Sequence, residues 1–196
     1  MSRHKSSQRS QPFYGRGSRE SRSGERSCNR NHTRGQRSYC STDSESVVVV
    51  PAFHAPFKNQ PAGVAVAIQV DGQDPVVESC ILKNSDSYRA EVASVALGLT
   101  RCEDFSDVLL VGSKMIHDST EFHLPTWRIK GWRNREGYPI AAIDAWQRIN
   151  ERIGSLNVTI ISPDNRPLDN EQWLYGLAHE KAMKLYKKAA SRSRAY

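Results

Sequence analysis

The stretch GWRNREGYPIAAIDAWQRI, residues 131–149, changes character halfway along. Its first half is polar and cationic, and Gly131, Gly137 and Pro139 interrupt any regular repeat there. From Ile140 a helical period takes over. Ile143, Trp146, Ile149 and Ile153 recur at core-face spacing, so residues 140–153 are predicted to form an amphipathic helix. Trp127, Arg128 and Lys130 lie just upstream and join Trp132, Arg133 and Arg135 in one cluster of indoles and cations.

Working outward, the remaining segments alternate between strand and helix patterns. Residues 47–50 are a β-branched run closed by Pro51, and residues 62–70 (AGVAVAIQV) read as a buried strand. Asp71 and Gly72 give a hairpin turn, and residues 75–82 form the third strand of an antiparallel meander. Residues 88–101 shift to helical period, with Val92, Val95, Ala96 and Leu99 on one stripe. The strand at 108–111 is reached by a helical crossover and is expected to pair in parallel. A fifth strand at 158–161 and a final helix at 171–190, with Leu174, Leu177 and Ala178 inward, complete the series. The predicted architecture is α/β, a mixed five-stranded sheet flanked by helices.

Charge divides the 196 residues into three parts. Residues 1–40 carry +8, residues 41–180 about −7, and Lys181, Lys184, Lys187, Lys188, Arg192 and Arg194 follow with no acid among them. Residues 1–44 are rich in Ser, Arg, Gly and Asn, with too few apolar side chains to offset the entropy of ordering. The expected organisation is a disordered basic tail over 1–45, a folded domain over 46–186 and a basic tail over 187–196. Basic ends of this kind hold phosphate with strong salt dependence, and the alternative is a solubilising role.

Cys28, Cys40, Cys80 and Cys102 form no CxxC pair and no zinc spacing, which fits reduced thiols in an intracellular protein. No apolar run matches a membrane span or a signal peptide, so no membrane partner is expected. A nuclear or cytoplasmic location is expected. The Arg/Ser-rich start is similar in composition to a mitochondrial transit peptide, which makes mitochondrial import the alternative, although Met1, Phe13 and Tyr14 are its only bulky apolar residues before position 28.

Residues 131–149 resemble the type 1 ribonuclease H family. The family's Gly-Trp, polar stretch, Gly-x-Pro and aliphatic-Asp-x-Trp helix start are matched in register by Gly131, Trp132, Gly137, Pro139, Ile140, Asp144 and Trp146. YRAEVASVAL at 88–97 is similar to the family's first helix, Gly112–Ser113–Lys114 to its Asp-Ser-Lys, and Asn170–Glu171 to the Asn-Glu opening its last helix. Ala62–Gly63 also fits. The resemblance covers residues 46 to about 185 and implies a ribonuclease H-like fold.

Hydrolysis of RNA in an RNA/DNA hybrid is a two-metal reaction, and Mg²⁺ needs oxygen ligands. The resemblance implies four carboxylates. One survives, Glu91 on the first helix. The other three positions fall at Phe53, flanked by Ala52 and His54, at Gly112, and at Leu174, flanked by Trp173 and Tyr175. The family's loop histidine falls at Asp164. One carboxylate of four cannot hold two metal ions, so no hydrolysis and no metal cofactor are expected. Mg²⁺ would enter only through a rebuilt site, for which His54, Asp118 and Asp164 are the candidates. Trp127, Arg128, Lys130, Trp132, Arg133 and Arg135 match the basic protrusion with which longer family members grip the hybrid. The expected function is therefore a catalytically degenerate ribonuclease H-like domain that binds RNA/DNA hybrid or RNA through this protrusion and the basic tails. The alternatives are an active hybrid ribonuclease with rebuilt ligands, and a protein-interaction module, which the acidic body favours.

Overall fold

The computed structural model describes residues 45–162 and 169–193. The segment expected as a disordered tail, 1–44, lies outside the described residues, as do 163–168 and 194–196. Strand β1 (Ser46–His54) is central. It pairs antiparallel with β2 (Gln60–Val70), and β2 pairs antiparallel with β3 (Val76–Ser85). Helix α1 (Ser87–Arg101) crosses to β4 (Asp107–Val111), which lies parallel to β1 on its other side. Next come α2 (Lys114–Asp118), a π-helical turn (Ser119–His123), α3 (Leu124–Ile129) and α4 (Ile143–Ile153). Strand β5 (Asn157–Ile161) pairs in parallel with β4, and α5 (Asp169–Ser193) follows. The strand order is β3-β2-β1-β4-β5, a mixed five-stranded sheet as predicted.

Pro51 does not close β1, and backbone hydrogen bonding explains why. Asp71 N–H donates to the Ser46 carbonyl on the β2 side, while Asp107 N–H donates to the Glu45 carbonyl on the β4 side. Odd-numbered residues of β1 therefore turn their backbone groups toward β4. The last β1–β4 pair is Val49 with Leu110. The N–H that Pro51 lacks would point where β4 has stopped pairing, a position at which a strand tolerates proline.

Side-chain alternation along β1 splits the core in two. Val47 and Val49 face α1 and α4, where Val92, Val95, Leu99, Trp146 and Ile149 are buried. Each such fully buried large side chain contributes about 1.5–3 kcal/mol. Val50 and Ala52 face α5, where Leu174, Ala178 and Ala182 are fully buried. Glycine lets the helices approach closely. A Cβ on Gly98 would lie 2.5 Å from a Val49 methyl, and one on Gly63 would overlap the Ala182 carbonyl.

The helices differ from the sequence reading in several places. The helix expected from residue 140 starts at Ile143, because Ala142 adopts a left-handed conformation, φ 55°. The helical stretch from Lys114 to Ile129 is absent from the sequence reading, its period broken by the π-helical turn and by Pro125 at the start of α3. Helix α5 continues to Ser193, through most of the stretch expected as a tail. No helix among the described residues is long and apolar enough to cross a membrane.

Candidate nucleic-acid interface

Three of the positions that the resemblance assigns to the acidic site, Glu91, Gly112 and Leu174, lie around the end of β4. Glu91 is half-buried on α1. Burial holds its carboxyl above the usual range, and a hydrogen bond with Ser113 partly offsets this. That contact joins α1 to the residue following Gly112. Gly112 is buried, and its N–H donates to the Ile161 carbonyl at 2.9 Å. A Cβ added there would lie 3.1–3.3 Å from Ile116 and Ile160. Leu174 is fully buried in the cluster of Val50, Ala52 and Ala178, with Val111 against it.

Phe53 packs on the α1 face with Ala62, Val64 and Ala90. The parallel register of β1 with β4 gives a further position on the strand. Continued two residues past Val49–Leu110, it brings Pro51, not Phe53, level with Gly112. Neither residue is an acid. A magnesium pair, which this fold implies, needs several oxygen ligands. A proline or phenylalanine, a crowded glycine and a fully buried leucine do not fit it.

The other candidate ligands are dispersed. His54 lies beside His179 and Tyr186, with ring centroids 6.0 and 4.8 Å away. Burial, then the nearby His179 and Lys187 charges, hold its pKa below the usual histidine value. Asp118 is 3.4 Å from His117, which also lies 3.5 Å from Glu121. Asp164 lies outside the described residues. Among the described residues no three His, Cys, Asp or Glu side chains gather at metal-ligand spacing.

The protrusion is a tight cationic loop mounted on the core. Gly131 and Trp132 turn the chain in left-handed conformations, φ 62° and 63°, and Gly137 does so again at φ 86°. Between these turns Asn134 organises the tip. Its side-chain oxygen accepts from the Glu136 and Tyr138 N–H groups at 3.0 and 2.9 Å, and Arg133 donates to the Gly137 carbonyl at 2.6 Å. The two indoles expected at the nucleic-acid contact also pack on the core. Trp127 and Trp132 are half-buried against the core, and the Trp127 ring lies 5.3 Å from that of Trp146. Arg128, Lys130, Arg133 and Arg135 are exposed, and the structure adds Ile129, 88% exposed, and Tyr138, 66% exposed. A lone apolar residue among cations gives no periodic signal, so sequence patterning passes over both.

No family model and no curated protein matches this chain. Solved structures do. A foamy viral protease-reverse transcriptase in complex with RNA/DNA hybrid is similar with a TM-score of 0.54 and 18% identity, over 72% of this chain. The chain spans only 20% of the length of that viral protein. LC9-RNase H1, a type 1 RNase H with the type 2 active-site motif, is similar with a TM-score of 0.55 and 15% identity, over 72% of this chain and 74% of that one. The N-terminal RNase H domain of a Mycobacterium tuberculosis protein is similar with a TM-score of 0.51 and 12% identity, over 76% and 99%. At these identities the likeness is one of fold. The described residues of this chain have a ribonuclease H-like fold.

Proposed function

We propose that this chain is a ribonuclease H-like nucleic-acid-binding protein that holds RNA/DNA hybrid, or RNA, without cutting it. The observation that carries this reading is a contrast within one domain. The protrusion keeps four exposed cations, Arg128 and Lys130 at the end of α3 and Arg133 and Arg135 on the loop after it, while Phe53, Gly112 and Leu174 stand where the resemblance puts the carboxylates that the reaction needs. A duplex is read by its shape and backbone, and such a loop suits that mode of contact. Similarity to a viral protein solved with a hybrid supports the same ligand class. The +8 of residues 1–40 adds sequence-independent attraction.

Filter binding of a short RNA/DNA hybrid across a salt series tests the binding half, and a steep fall with salt is expected. Absence of binding at low salt would refute it. Incubation of labelled hybrid with Mg²⁺ or Mn²⁺ tests the other half, and no cleavage above background is expected. Metal-dependent cleavage lost in Glu91→Gln would instead establish an active ribonuclease with rebuilt ligands.

A second reading, a protein-interaction module on this fold, is favoured by Phe105. Its ring is 80% exposed on a left-handed residue, φ 68°, in the loop entering β4. Exposed aromatics on rigid supports are common anchors in protein interfaces.

A further inference from the structure

Helix α5 carries a surface that the protrusion does not account for. Trp173, Leu177, Lys181, Lys184, Lys188 and Arg192 succeed one another three or four residues apart, which places them on one helical stripe. The stripe is about 28 Å long at the α-helical rise. All its members except Leu177 are exposed, and Trp173 is 51% exposed. Trp127 and Trp132 are half-buried and Trp146 is fully buried, so Trp173 is the tryptophan most open to solvent.

Structural roles leave most of this stripe unexplained. Cations favour the C-terminal end of a helix dipole only within about its last turn, and Arg192 alone occupies that turn. Exposed lysines add nothing to the core. A merely solvated face usually mixes signs, yet Glu180, paired with Lys184 at 2.6 Å, is the last acid of the chain. Trp173 adjoins Leu174, so the stripe starts beside the residues at the end of the acidic site and leads away along α5.

We infer that this stripe is a second nucleic-acid site. It takes the sugar–phosphate backbone of a single strand along Lys181, Lys184, Lys188 and Arg192 and stacks an unpaired base on Trp173. Cationic tracks joined to aromatic faces bind single strands in this way, with little sequence preference. The inference rests on the nucleic-acid reading above. It assigns the duplex to the protrusion and an unpaired extension to α5.

Three full-length proteins separate the two ideas: the parent, a variant with Lys181→Gln, Lys184→Gln, Lys188→Gln and Arg192→Gln, and a variant with Ala at Arg128, Lys130, Arg133 and Arg135. Each is titrated with labelled oligouridine and with a blunt RNA/DNA hybrid across a salt series. The stripe variant is expected to lose roughly three units of salt slope on oligouridine and at least about tenfold in affinity, with a smaller change on hybrid. The protrusion variant is expected to show the reverse. A second readout needs no substitution: saturating oligouridine should shield the iodide-accessible tryptophan fluorescence of the parent, and Trp173→Phe should remove that signal. A stripe variant with the parent's affinity and slope, or a Trp173 that stays open to iodide at saturation, overturns this inference and leaves the hybrid-binding reading standing. A parent that binds neither probe overturns both.

Discussion

Gly112 and Leu174 are tightly packed, so an acid at either position is costly. Gly112→Asp places its Cβ within 3.1–3.3 Å of Ile116 and Ile160. Overpacking of this kind costs about 1–3 kcal/mol. Leu174→Asp removes a fully buried side chain and puts a carboxyl in its place, at a cost of at least about 3 kcal/mol. Urea melts of the two variants check both values, and a Gly112→Asp protein as stable as the parent would mean a looser pocket than the distances imply. Glu91 offers a test whose sign is fixed by linkage. Burial disfavours its charged form, so the folded protein takes up this proton more readily than the unfolded chain does. The stability it contributes is full below the unfolded pKa of about 4.3 and is lost as pH rises through the higher folded value. Relative to the parent, Glu91→Gln is therefore expected to gain thermal stability between acid and neutral pH. A relative loss over the same range would mean that the Ser113 hydrogen bond outweighs burial.

Single side chains lock whole elements together in this fold. Arg152 on α4 donates to the carbonyls of Leu99 and Cys102 at 3.1 and 2.7 Å and pairs with the Asp104 carboxylate. It thereby closes the C-terminal end of α1 and holds the loop that presents Phe105. Its side chain is 21% exposed, so Arg152→Ala is expected to cost about 2–3 kcal/mol, the scale for charged hydrogen bonds, in a chemical melt. Asp104 is exposed, and Asp104→Asn should change stability much less. Equal losses in the two variants would show that the ion pair, not the two carbonyls, carries the effect. The protrusion is a second such element. Its left-handed Trp132 is held by packing on the core, so Trp132→Ala should loosen the loop and weaken hybrid binding although the four cations remain. Unchanged hybrid affinity in that variant would separate binding from loop geometry.

At the scale of the molecule the governing fact is the placement of charge. A segment of about −7 lies between ends of +8 and +6. An acidic body repels phosphate except where cations are concentrated, and at physiological ionic strength each contact is felt over roughly 8 Å. Deleting residues 1–40 is therefore expected to flatten the salt dependence of hybrid binding strongly while leaving the folded domain intact. Filter binding at several salt concentrations measures the slope, and an unchanged slope would place the phosphate contacts on the domain itself.

The amino-acid sequence alone determined the class of this molecule. Val47 to Val50, the AGVAVAIQV run and the Ile143–Trp146–Ile149–Ile153 spacing specify strands and a helix through local periodicity, and periodicity survives without knowledge of neighbours. The strings at 131–149, 88–97, 112–114 and 170–171 carry the likeness to ribonuclease H, and the fold agrees. Tertiary structure decided what depends on contacts between distant residues. Pro51 stays in β1 because β4 ends its pairing one step earlier, a fact about two strands separated by some sixty residues. The same register sets Pro51, two residues before Phe53, level with Gly112. Trp127 and Trp132 read in sequence as residues of the nucleic-acid contact, and the structure half-buries both against the core, because burial is settled by what packs against a residue and not by its type.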